Sequence, residues 1–387
     1  MAVINRMAEL HDEITAWRQK YHSNPELMYD VHETAGDVAD KLKAFGCDEV
    51  VTGIGRTGVV GVIKGNKPGK GVVGLRADMD ALPIAEITDL PYASKIPGKM
   101  HACGHDGHTA MLLGAARYLA ETRNFAGTAI MIFQPAEEGG AGGKAMIDDK
   151  LMERFGIEEV YGLHNLPGLG VGEFAICDGP IMASTDEFKI TLKGKGAHAA
   201  MPHLGIDPVV AGAHLVSMLQ TIVSRGTDPL EGLVVSVTQF HAGNTYNVIP
   251  ETAMLNGTIR SLNKMTRAYG EKRLREITKS IAEASNCEFV LDFREGYPVT
   301  FNHSAATQKA ADVARLVAGD NKVNQSVKPM MGGEDFAYML EERPGAYIFM
   351  GNGDTAGLHH PAYDFNDDAI PHGASYWAKL VETLLPA

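Results

Sequence analysis

The chain has 387 residues, of which 45% are hydrophobic and 21% are charged, and its formal net charge is -13. This length exceeds the size at which one hydrophobic core usually stops growing, so we expect a globular protein of two domains. The negative charge argues against nucleic acid or an anionic membrane as the main partner, and no run approaches 18 consecutive apolar residues.

The first predicted elements are two helices between residue 10 and about residue 45, the second of which ends at Gly46. After them come short apolar runs that end in glycine, proline or acidic residues, among them GVVGLRADMD, TAIMIFQPAEE and EVYGLHNLP. Helical stretches such as HTAMLLGAARYLAET separate some of these runs. Buried strands that alternate with helices are typical of an α/β domain with three layers.

Between residues 186 and 294 the order of predicted elements changes to β-α-β-β-α-β, which is the order of a ferredoxin-like α+β fold. Segments of the α/β type, including AYIFMGNG, resume after it. We therefore predict an inserted satellite domain at residues 185–296. The catalytic domain is then discontinuous, with a first part at residues 1–184 and a second part at residues 297–387.

Polar side chains follow three of the predicted strands. Asp78 and Asp80 come after VVGLRA, Glu137 and Glu138 come after AIMIFQPA, and His164 follows EVYGL. In open α/β sheets, ligands bind beyond the carboxyl ends of the strands. These carboxylates and this imidazole are therefore expected at one edge of the sheet.

Two further segments carry groups that bind transition metals. Cys103 and His105 lie in a glycine-containing loop before a helix, and LHHP offers His359 and His360 after another strand. Any one of these residues alone would more often be an ordinary core or surface residue. Because thiolate, imidazole and carboxylate groups recur in five segments, the combination favours a metal site.

The four cysteines, Cys47, Cys103, Cys177 and Cys287, lie far apart, unlike those of a disulfide-stabilised scaffold. The first residues also carry charges where a secretory signal would be apolar. These features predict reduced cysteines and a cytoplasmic location.

Seven segments in chain order carry a resemblance to a known family: LRADMDALPI, MHACGHDGHTAM, IFQPAEEGGAGG, GLHNLPG, GKGAHAAMPHLGIDPV, NTYNVIPE, and GGEDFAYML followed by LHHPAYDFND. Together they resemble the hippurate hydrolase and N-acyl-amino-acid amidohydrolase branch of the aminoacylase and carboxypeptidase metallohydrolase superfamily. The resemblance runs over nearly the whole chain. It implies a zinc-peptidase-like catalytic domain with an inserted lid or dimerisation domain.

The resemblance also implies a metal centre that holds up to two divalent ions per subunit. The implied ligands are Cys103, His105, Glu138, His164 and His359. His360 remains an alternative to His359, because relatives usually have a single histidine at this place. The ligand set departs from the broader superfamily pattern, which leaves zinc, manganese, cobalt and nickel open.

Other residues receive roles from the same resemblance. Glu137 matches the general base, and Asp80 matches an acidic residue that supports the metal ligands from behind. His198 matches the histidine that stabilises the oxyanion, commonly from the partner subunit of a homodimer or of a dimer of dimers. Asn247 and Arg260 match residues that hold the substrate, and the guanidinium of Arg260 suits a carboxylate.

The implied activity is hydrolysis of the amide bond of an N-acyl or N-aroyl amino acid by a metal-activated water, which releases a carboxylic acid and a free amino acid. A metallo-dipeptidase or carboxypeptidase of the same superfamily is the alternative. Two alternatives come from other classes: a cysteine hydrolase with Cys103 and His105 or His108, and a non-catalytic binding protein that keeps the fold. The motifs do not separate hippurate-like substrates, N-acetyl amino acids and small dipeptides.

Overall fold

A computed structural model describes residues 3–387 of the chain, which form two compact units. The larger unit comprises the residues up to Ile181 together with Phe301–Lys328 and Asp335–Ala387. The smaller unit comprises Met182–Thr300 and Pro329–Glu334. Within residues 3–387, every helix is too short or too polar to cross a lipid bilayer.

The helices are α1 (Asn5–Glu9), α2 (His11–Ser23), α3 (His32–Ala44), α4 (His105–Thr122), α5 (Gly142–Asp148), α6 (Leu151–Phe155), α7 (Pro208–Leu219), α8 (Thr221–Gly226), α9 (Lys264–Ala284), α10 (Ser304–Ala318), α11 (Ala337–Glu342) and α12 (Ile370–Leu384). Single 3₁₀ turns lie at Pro202–Leu204, Asp320–Lys322 and Asp367–Ala369. The two helices predicted before residue 46 correspond to α2 and α3.

The strands are β1 (Glu49–Ile54), β2 (Gly58–Lys64), β3 (Lys67–Asp78), β4 (Ala126–Gln134), β5 (Glu159–Pro167), β6 (Phe174–Ala175), β7 (Gly179–Met182), β8 (Ser184–Lys193), β9 (Ala197–His198), β10 (Leu233–Ala242), β11 (Val248–Ile249), β12 (Thr252–Ser261), β13 (Glu288–Glu295), β14 (Thr300–Asn302), β15 (Val323–Asn324) and β16 (Gly345–Gly353).

A mixed sheet of eight strands forms the centre of the larger unit, with the strand order β1-β2-β4-β3-β5-β16-β6-β15. Strands β4, β3, β5 and β16 run parallel to one another, whereas the β1–β2, β2–β4 and β16–β6 pairs are antiparallel. In this register Asp78 lies opposite Gln134, and His164 lies opposite Phe349. The carboxyl ends of β3, β4 and β5 are therefore side by side.

Both faces of this sheet are covered, which explains why its strands are continuous apolar runs. Alternate residues of β4 point to opposite faces. Met131 and Phe133 join a core that includes residues of α2, α4, α10 and α12. On the other face, Ile132 and Ile157 pack around Gly74, and α5 packs on β4 and on α11. The three-layer α/β prediction is confirmed.

The smaller unit contains an antiparallel sheet with the strand order β10-β12-β8-β13. Phe188, Ile190 and Leu192 alternate along β8 and pack with α7 and α9 in a separate core. The chain order β8, α7, β10, β12, α9, β13 gives the predicted ferredoxin-like arrangement, in which short α8 follows α7. Strands β10 and β13 are the two edges, and β9 pairs with β11 apart from this sheet.

Candidate metal centre

The predicted metal ligands of the larger unit converge beyond the carboxyl ends of β3, β4 and β5. Ligand atoms of Cys103, His105 and His164 lie within 4.8 Å of one another, as do those of Cys103, Glu138 and His359. Sγ of Cys103 is 3.3 Å from Nε2 of His164. The structure thus brings five residues from four chain segments into two overlapping triads that share Cys103.

The imidazoles in this cluster are held so that one ring nitrogen remains for a ligand. Nδ1 of His105 donates to the carbonyl of Asp80 at 2.8 Å, and Nδ1 of His164 donates to the carbonyl of Asn165 at 2.7 Å. A carbonyl only accepts hydrogen bonds, so Nδ1 of each ring carries a proton and Nε2 is the nitrogen left for a ligand. Hydrogen bonds of this kind orient the histidine ligands of metal sites.

Two buried atoms of the cluster lack a hydrogen-bond partner of good geometry among residues 3–387, namely Nε2 of His105 and Oε1 of Glu138. A buried polar atom left unsatisfied costs about 1–3 kcal/mol, so such atoms point to a missing partner. A thiolate, imidazoles and a carboxylate are the donors that divalent transition metals prefer. The residues present therefore fit a metal ion.

The electrostatics of the cluster also favour a cation. Burial alone would lower the pKa of His105, but Asp78, Asp80 and Glu138 raise it to about 10. Burial raises the pKa of the Cys103 thiol well above its usual value, and the nearby Glu138 and Glu137 raise it further. A bound divalent cation would compensate the negative charge that these buried carboxylates concentrate here.

The two candidate histidines after β16 have different environments. Nε2 of His359 is 3.3 Å from Oε1 of Glu138, and the backbone N–H of His359 donates to the carbonyl of Ala102 at 2.7 Å. Nδ1 of His360 instead accepts the N–H of Ala362 at 3.0 Å. The structure brings His359 into the cluster, whereas His360 is absent from both triads.

Asp80 organises the turn that carries the two glutamates. Its carboxylate accepts the backbone N–H of Glu137 at 3.0 Å and that of Glu138 at 3.1 Å. Ala136, just before them, has a φ of 53°, a left-handed conformation that costs a non-glycine residue energy. Ligand atoms of Glu137 and Glu138 both lie within 4.8 Å of His105. Asp80 therefore fixes the backbone positions from which both glutamate side chains extend.

The sequence analysis gave no role to Arg76, Gln134 and Asp335, which are buried behind this cluster. Arg76 on β3 donates to Asp78 at 2.7 Å, to Gln134 at 2.9 Å and to Asp335 at 3.0 Å. Although burial opposes ionisation, His105, Arg76 and His108 hold the pKa of Asp78 well below its usual value. The available signal was an arginine within an otherwise apolar strand, since a buried arginine requires partners.

The three candidates of the smaller unit have open environments. His198 on β9 is exposed, and its Nδ1 accepts the N–H of Ala200 at 3.1 Å. Asn247 is exposed and accepts a hydrogen bond from Thr245 at 3.2 Å. Arg260 is half-buried on the sheet face away from α7 and α9, and it donates to the Thr258 hydroxyl and to the carbonyl of Ile259.

Arg260 lines a cavity of about 420 Å³ in the smaller unit, and the other charged residues of its lining are Lys189, Arg294, Glu187 and Asp292. Burial lowers the pKa of Arg260, and within residues 3–387 no carboxylate lies within 4.0 Å of its guanidinium. A half-buried cation without a counter-ion is suited to an anionic ligand.

Comparison with known proteins agrees with the sequence motifs. The model of peptidase family M20/M25/M40 matches residues 74–383. A hippurate hydrolase from Campylobacter jejuni is 44% identical over 98% of both chains. An N-acetyl-L-cysteine deacetylase from Bacillus subtilis is 39% identical over 98% of this chain and 90% of the relative. Thermostable carboxypeptidase 2 from Saccharolobus solfataricus is 42% identical over 97% and 96%, respectively.

A solved structure of a related protein supports the same family assignment. The YXEP protein of Bacillus subtilis, described as a dinuclear metal binding peptidase from the M20 family, superimposes with a TM-score of 0.85 at 34% identity, covering 98% of this chain and 99% of that one. The resemblance predicted from the motifs is therefore confirmed. With the family model matched over residues 74–383, this chain belongs to peptidase family M20/M25/M40.

Proposed function

We propose that this protein is a metal-dependent amidohydrolase that cleaves the amide bond of N-acyl amino acids and releases a carboxylic acid and a free amino acid. The observation that carries the proposal is the cluster of Cys103, His105, Glu138, His164 and His359 beside Glu137, in which Cys103, His105 and His164 are buried and His359 is exposed. The hippurate hydrolase and N-acetyl-L-cysteine deacetylase relatives act on substrates of this class by name, which agrees with the activity expected from the motifs.

We assign the five clustered residues as ligands for up to two divalent ions per subunit, of zinc, manganese, cobalt or nickel. Two overlapping triads of ligand atoms support room for two ions. When bound, such an ion lowers the pKa of water toward neutrality and polarises a carbonyl oxygen. His359 is preferred to His360 because its Nε2 lies beside Glu138.

Glu137 is assigned as the general base. Its carboxylate takes a proton from the attacking water and later delivers that proton to the leaving nitrogen, so the amine departs neutral. Glu138 has a pKa that burial would raise but that His359 and His105 lower, which keeps its carboxylate anionic for a cation. Asp80 assists by holding the backbone of both glutamates.

His198 is assigned to stabilise the oxyanion at a partner subunit's metal centre, in a homodimer or a dimer of dimers. Residues 185–296 then form a lid and dimerisation domain. Among residues 3–387 no strand lies beside the outer edge of β10, and an unprotected edge favours pairing with another chain. The exposed apolar residues Val210 and Met218 on α7 and Phe240 on β10 support such an interface.

Arg260 and Asn247 are assigned to hold the substrate, with Arg260 binding its carboxylate. The half-buried guanidinium faces a cavity whose other charged lining residues are Lys189, Arg294, Glu187 and Asp292, so Arg260 leaves the lining with one excess positive charge. A planar guanidinium binds a carboxylate through two parallel hydrogen bonds. An amide substrate with a free carboxylate nearby is therefore the class that this cavity suits.

Cleavage of peptides is the main alternative, since a carboxypeptidase is 42% identical to this chain. A cysteine hydrolase is disfavoured because the pKa of the Cys103 thiol is raised, whereas a nucleophilic cysteine has a lowered pKa. A cytoplasmic location remains our proposal, and it is supported by the fact that all four cysteines are free.

The test is an assay of purified protein against hippurate, other N-acyl amino acids and dipeptides with free amino termini. We expect hydrolysis of N-acyl amino acids, its loss after exhaustive chelation, and its recovery with a divalent ion. Full activity in protein verified to be metal-free would contradict the metal-dependent assignment. A preference for dipeptides would favour the peptidase alternative.

A further inference from the structure

A buried asparagine next to a proposed ligand uses all of its polar groups within the protein. The side-chain Nδ2 of Asn165 donates to the carbonyl of Cys103 at 2.6 Å and lies 3.1 Å from Nε2 of His108. The backbone N–H of Asn165 also donates to Nε2 of His108, at 3.0 Å, and Oδ1 accepts the hydroxyl of Tyr363 at 2.8 Å. Nothing in the proposed reaction uses Asn165 itself.

These contacts continue into a chain of hydrogen bonds in which each donor and acceptor is fixed. Because Nε2 of His108 accepts the backbone N–H of Asn165, the proton of this imidazole lies on Nδ1, which donates to Asp78 at 2.6 Å. The other oxygen of Asp78 accepts a hydrogen bond from Arg76. We call Tyr363, Asn165, His108 and Asp78 the Asn165 clamp. Each of these side chains is at most 1% exposed.

The Asn165 clamp connects the segments that carry three proposed ligands. It holds Cys103 through the carbonyl of that residue, and Asn165 follows His164 directly in β5. The ring of His108 packs edge-on against that of His164, with centroids 4.6 Å apart. Tyr363 closes a turn after His359 through a 2.9 Å hydrogen bond from its N–H to the carbonyl of His360.

The clamp is also packed so tightly that it restricts its neighbours. Gly104, between Cys103 and His105, has a φ of 90°. A Cβ at this position would lie 2.2 Å from Nδ2 of Asn165 and 2.5 Å from the hydroxyl of Tyr363. Only glycine permits both the left-handed backbone and this close approach. The ligand loop is therefore shaped around the clamp.

We infer that Asn165, held by Tyr363 and His108, is a positioning residue that sets the spacing of Cys103, His164 and His359 and so determines metal affinity and coordination geometry. This inference rests on the proposed metal centre. Hydrogen-bond partners behind metal ligands typically contribute about 10- to 100-fold in affinity. Loosening the clamp should therefore weaken metal binding without removing any ligand.

The experiment compares Tyr363→Phe and Asn165→Leu, which remove hydrogen bonds of the clamp without adding a charge, with wild type and with Tyr376→Phe. Tyr376 is a matched control, because it is equally buried in the larger unit and its hydroxyl has no hydrogen-bond partner among residues 3–387. Affinity for Co²⁺ is measured on the metal-free proteins by competition with a chelator. The absorption bands of the bound Co²⁺ report the coordination geometry, and thermal melts report stability.

We expect Tyr363→Phe and Asn165→Leu to bind Co²⁺ about 10- to 100-fold more weakly, with shifted absorption bands, while Tyr376→Phe resembles wild type. At saturating metal, kcat should fall in the two clamp variants with little change in KM. Wild-type affinity and spectra in Tyr363→Phe, or a lower melting temperature as the only change, would overturn the inference. Wild-type protein that binds no divalent ion would contradict the metal centre itself, and the clamp with it.

Discussion

The candidate residues of the larger unit and those of the smaller unit differ in how fully the protein satisfies them. Asp78, Asp80 and His105 are at most 1% exposed, and each makes several contacts with neighbouring side chains or backbone. His198 and Asn247 are exposed, and the charge of Arg260 has no counter-ion within 4.0 Å among the described residues. The candidate residues of the larger unit are held in place by the fold, whereas those of the smaller unit are free to contact a substrate or another subunit.

This difference shows which groups the fold must hold in position before any partner binds. Buried charges are costly unless partners hold them, so Asp78 is paired with Arg76, which also donates to Asp335. Groups that meet a substrate or another subunit are satisfied only when that partner arrives. We call the candidate residues of the larger unit the buried set and those of the smaller unit the open set. Substitutions in the buried set are expected to change metal content and stability, and substitutions in the open set are expected to change substrate binding and subunit assembly.

The largest expected effect separates Glu137 from Glu138 within the buried set. Glu137→Gln should lose about 10² to 10⁴ in kcat, because it removes the proton acceptor, while its metal content stays near that of wild type. Glu138→Gln should lose metal, because it removes an anionic ligand. Metal analysis and kcat on the same preparations check both, and the opposite partition would exchange the two assignments.

The next prediction tests whether the open set acts across subunits. His198→Ala alone should lose about 10² to 10³ in kcat, the usual effect of removing one oxyanion donor. Mixed in equal amounts with Glu137→Gln under conditions of subunit exchange, it should recover about a quarter of wild-type activity, because half of the dimers are mixed and each has one intact site.

The control for this mixing experiment is each variant incubated alone, which should remain inactive. Exchange is verified by mass spectrometry of differently tagged chains. If exchange occurs and no activity returns, His198 acts within its own chain or has no role in the reaction.

A smaller effect is expected at Arg260. Arg260→Lys keeps the charge but loses the planar pair of donors, so KM should rise about tenfold while kcat changes little. Arg294→Lys is the matched control, because Arg294 lines the same cavity with a side chain that is 77% exposed. Equal changes of KM in both variants, measured by steady-state kinetics, would contradict a specific role of the Arg260 guanidinium in binding the carboxylate.

The last prediction concerns stability instead of activity, at a buried histidine of the larger unit. His22 is 2.8 Å from Asp106 and 3.3 Å from Glu86. Burial would lower its pKa, but these carboxylates raise it from 6.5 to about 9. The stabilisation is complete below pH 6.5 and is lost as the pH rises through 9. Between these values, wild type should lose about 1.4 kcal/mol of unfolding free energy per pH unit relative to His22→Gln.

Urea unfolding of wild type and variant at several pH values between 6.5 and 9, with metal held constant, checks this slope. His32→Gln is the control, because His32 is exposed on α3. If the difference in unfolding free energy between wild type and His22→Gln does not change with pH, this would contradict the raised pKa of His22.

The sequence predicts those parts of the site that follow a local pattern of apolar and polar residues. Apolar runs ending in Asp78, Glu137 and His164 revealed strands that deliver these residues to one edge, and the β-α-β-β-α-β order revealed the smaller sheet. The clamp had no such signal, because Tyr363 and Asn165 meet only after β16 joins β5. Likewise, His22 resembled an ordinary helix residue until folding placed it against Asp106.

The position of β16 in the sheet has a consequence for how the protein is made. In space β16 lies between β5 and β6, yet along the chain the whole of Met182–Thr300 is translated before it. At about 5–20 residues per second, the edge of β5 waits on the order of 10–40 s for its neighbour after leaving the ribosome. An apolar edge exposed for that time is open to pairing with other nascent chains. Slow translation of the segment before β16 should therefore lower the yield of native protein, and chaperones that cover strand edges should restore it.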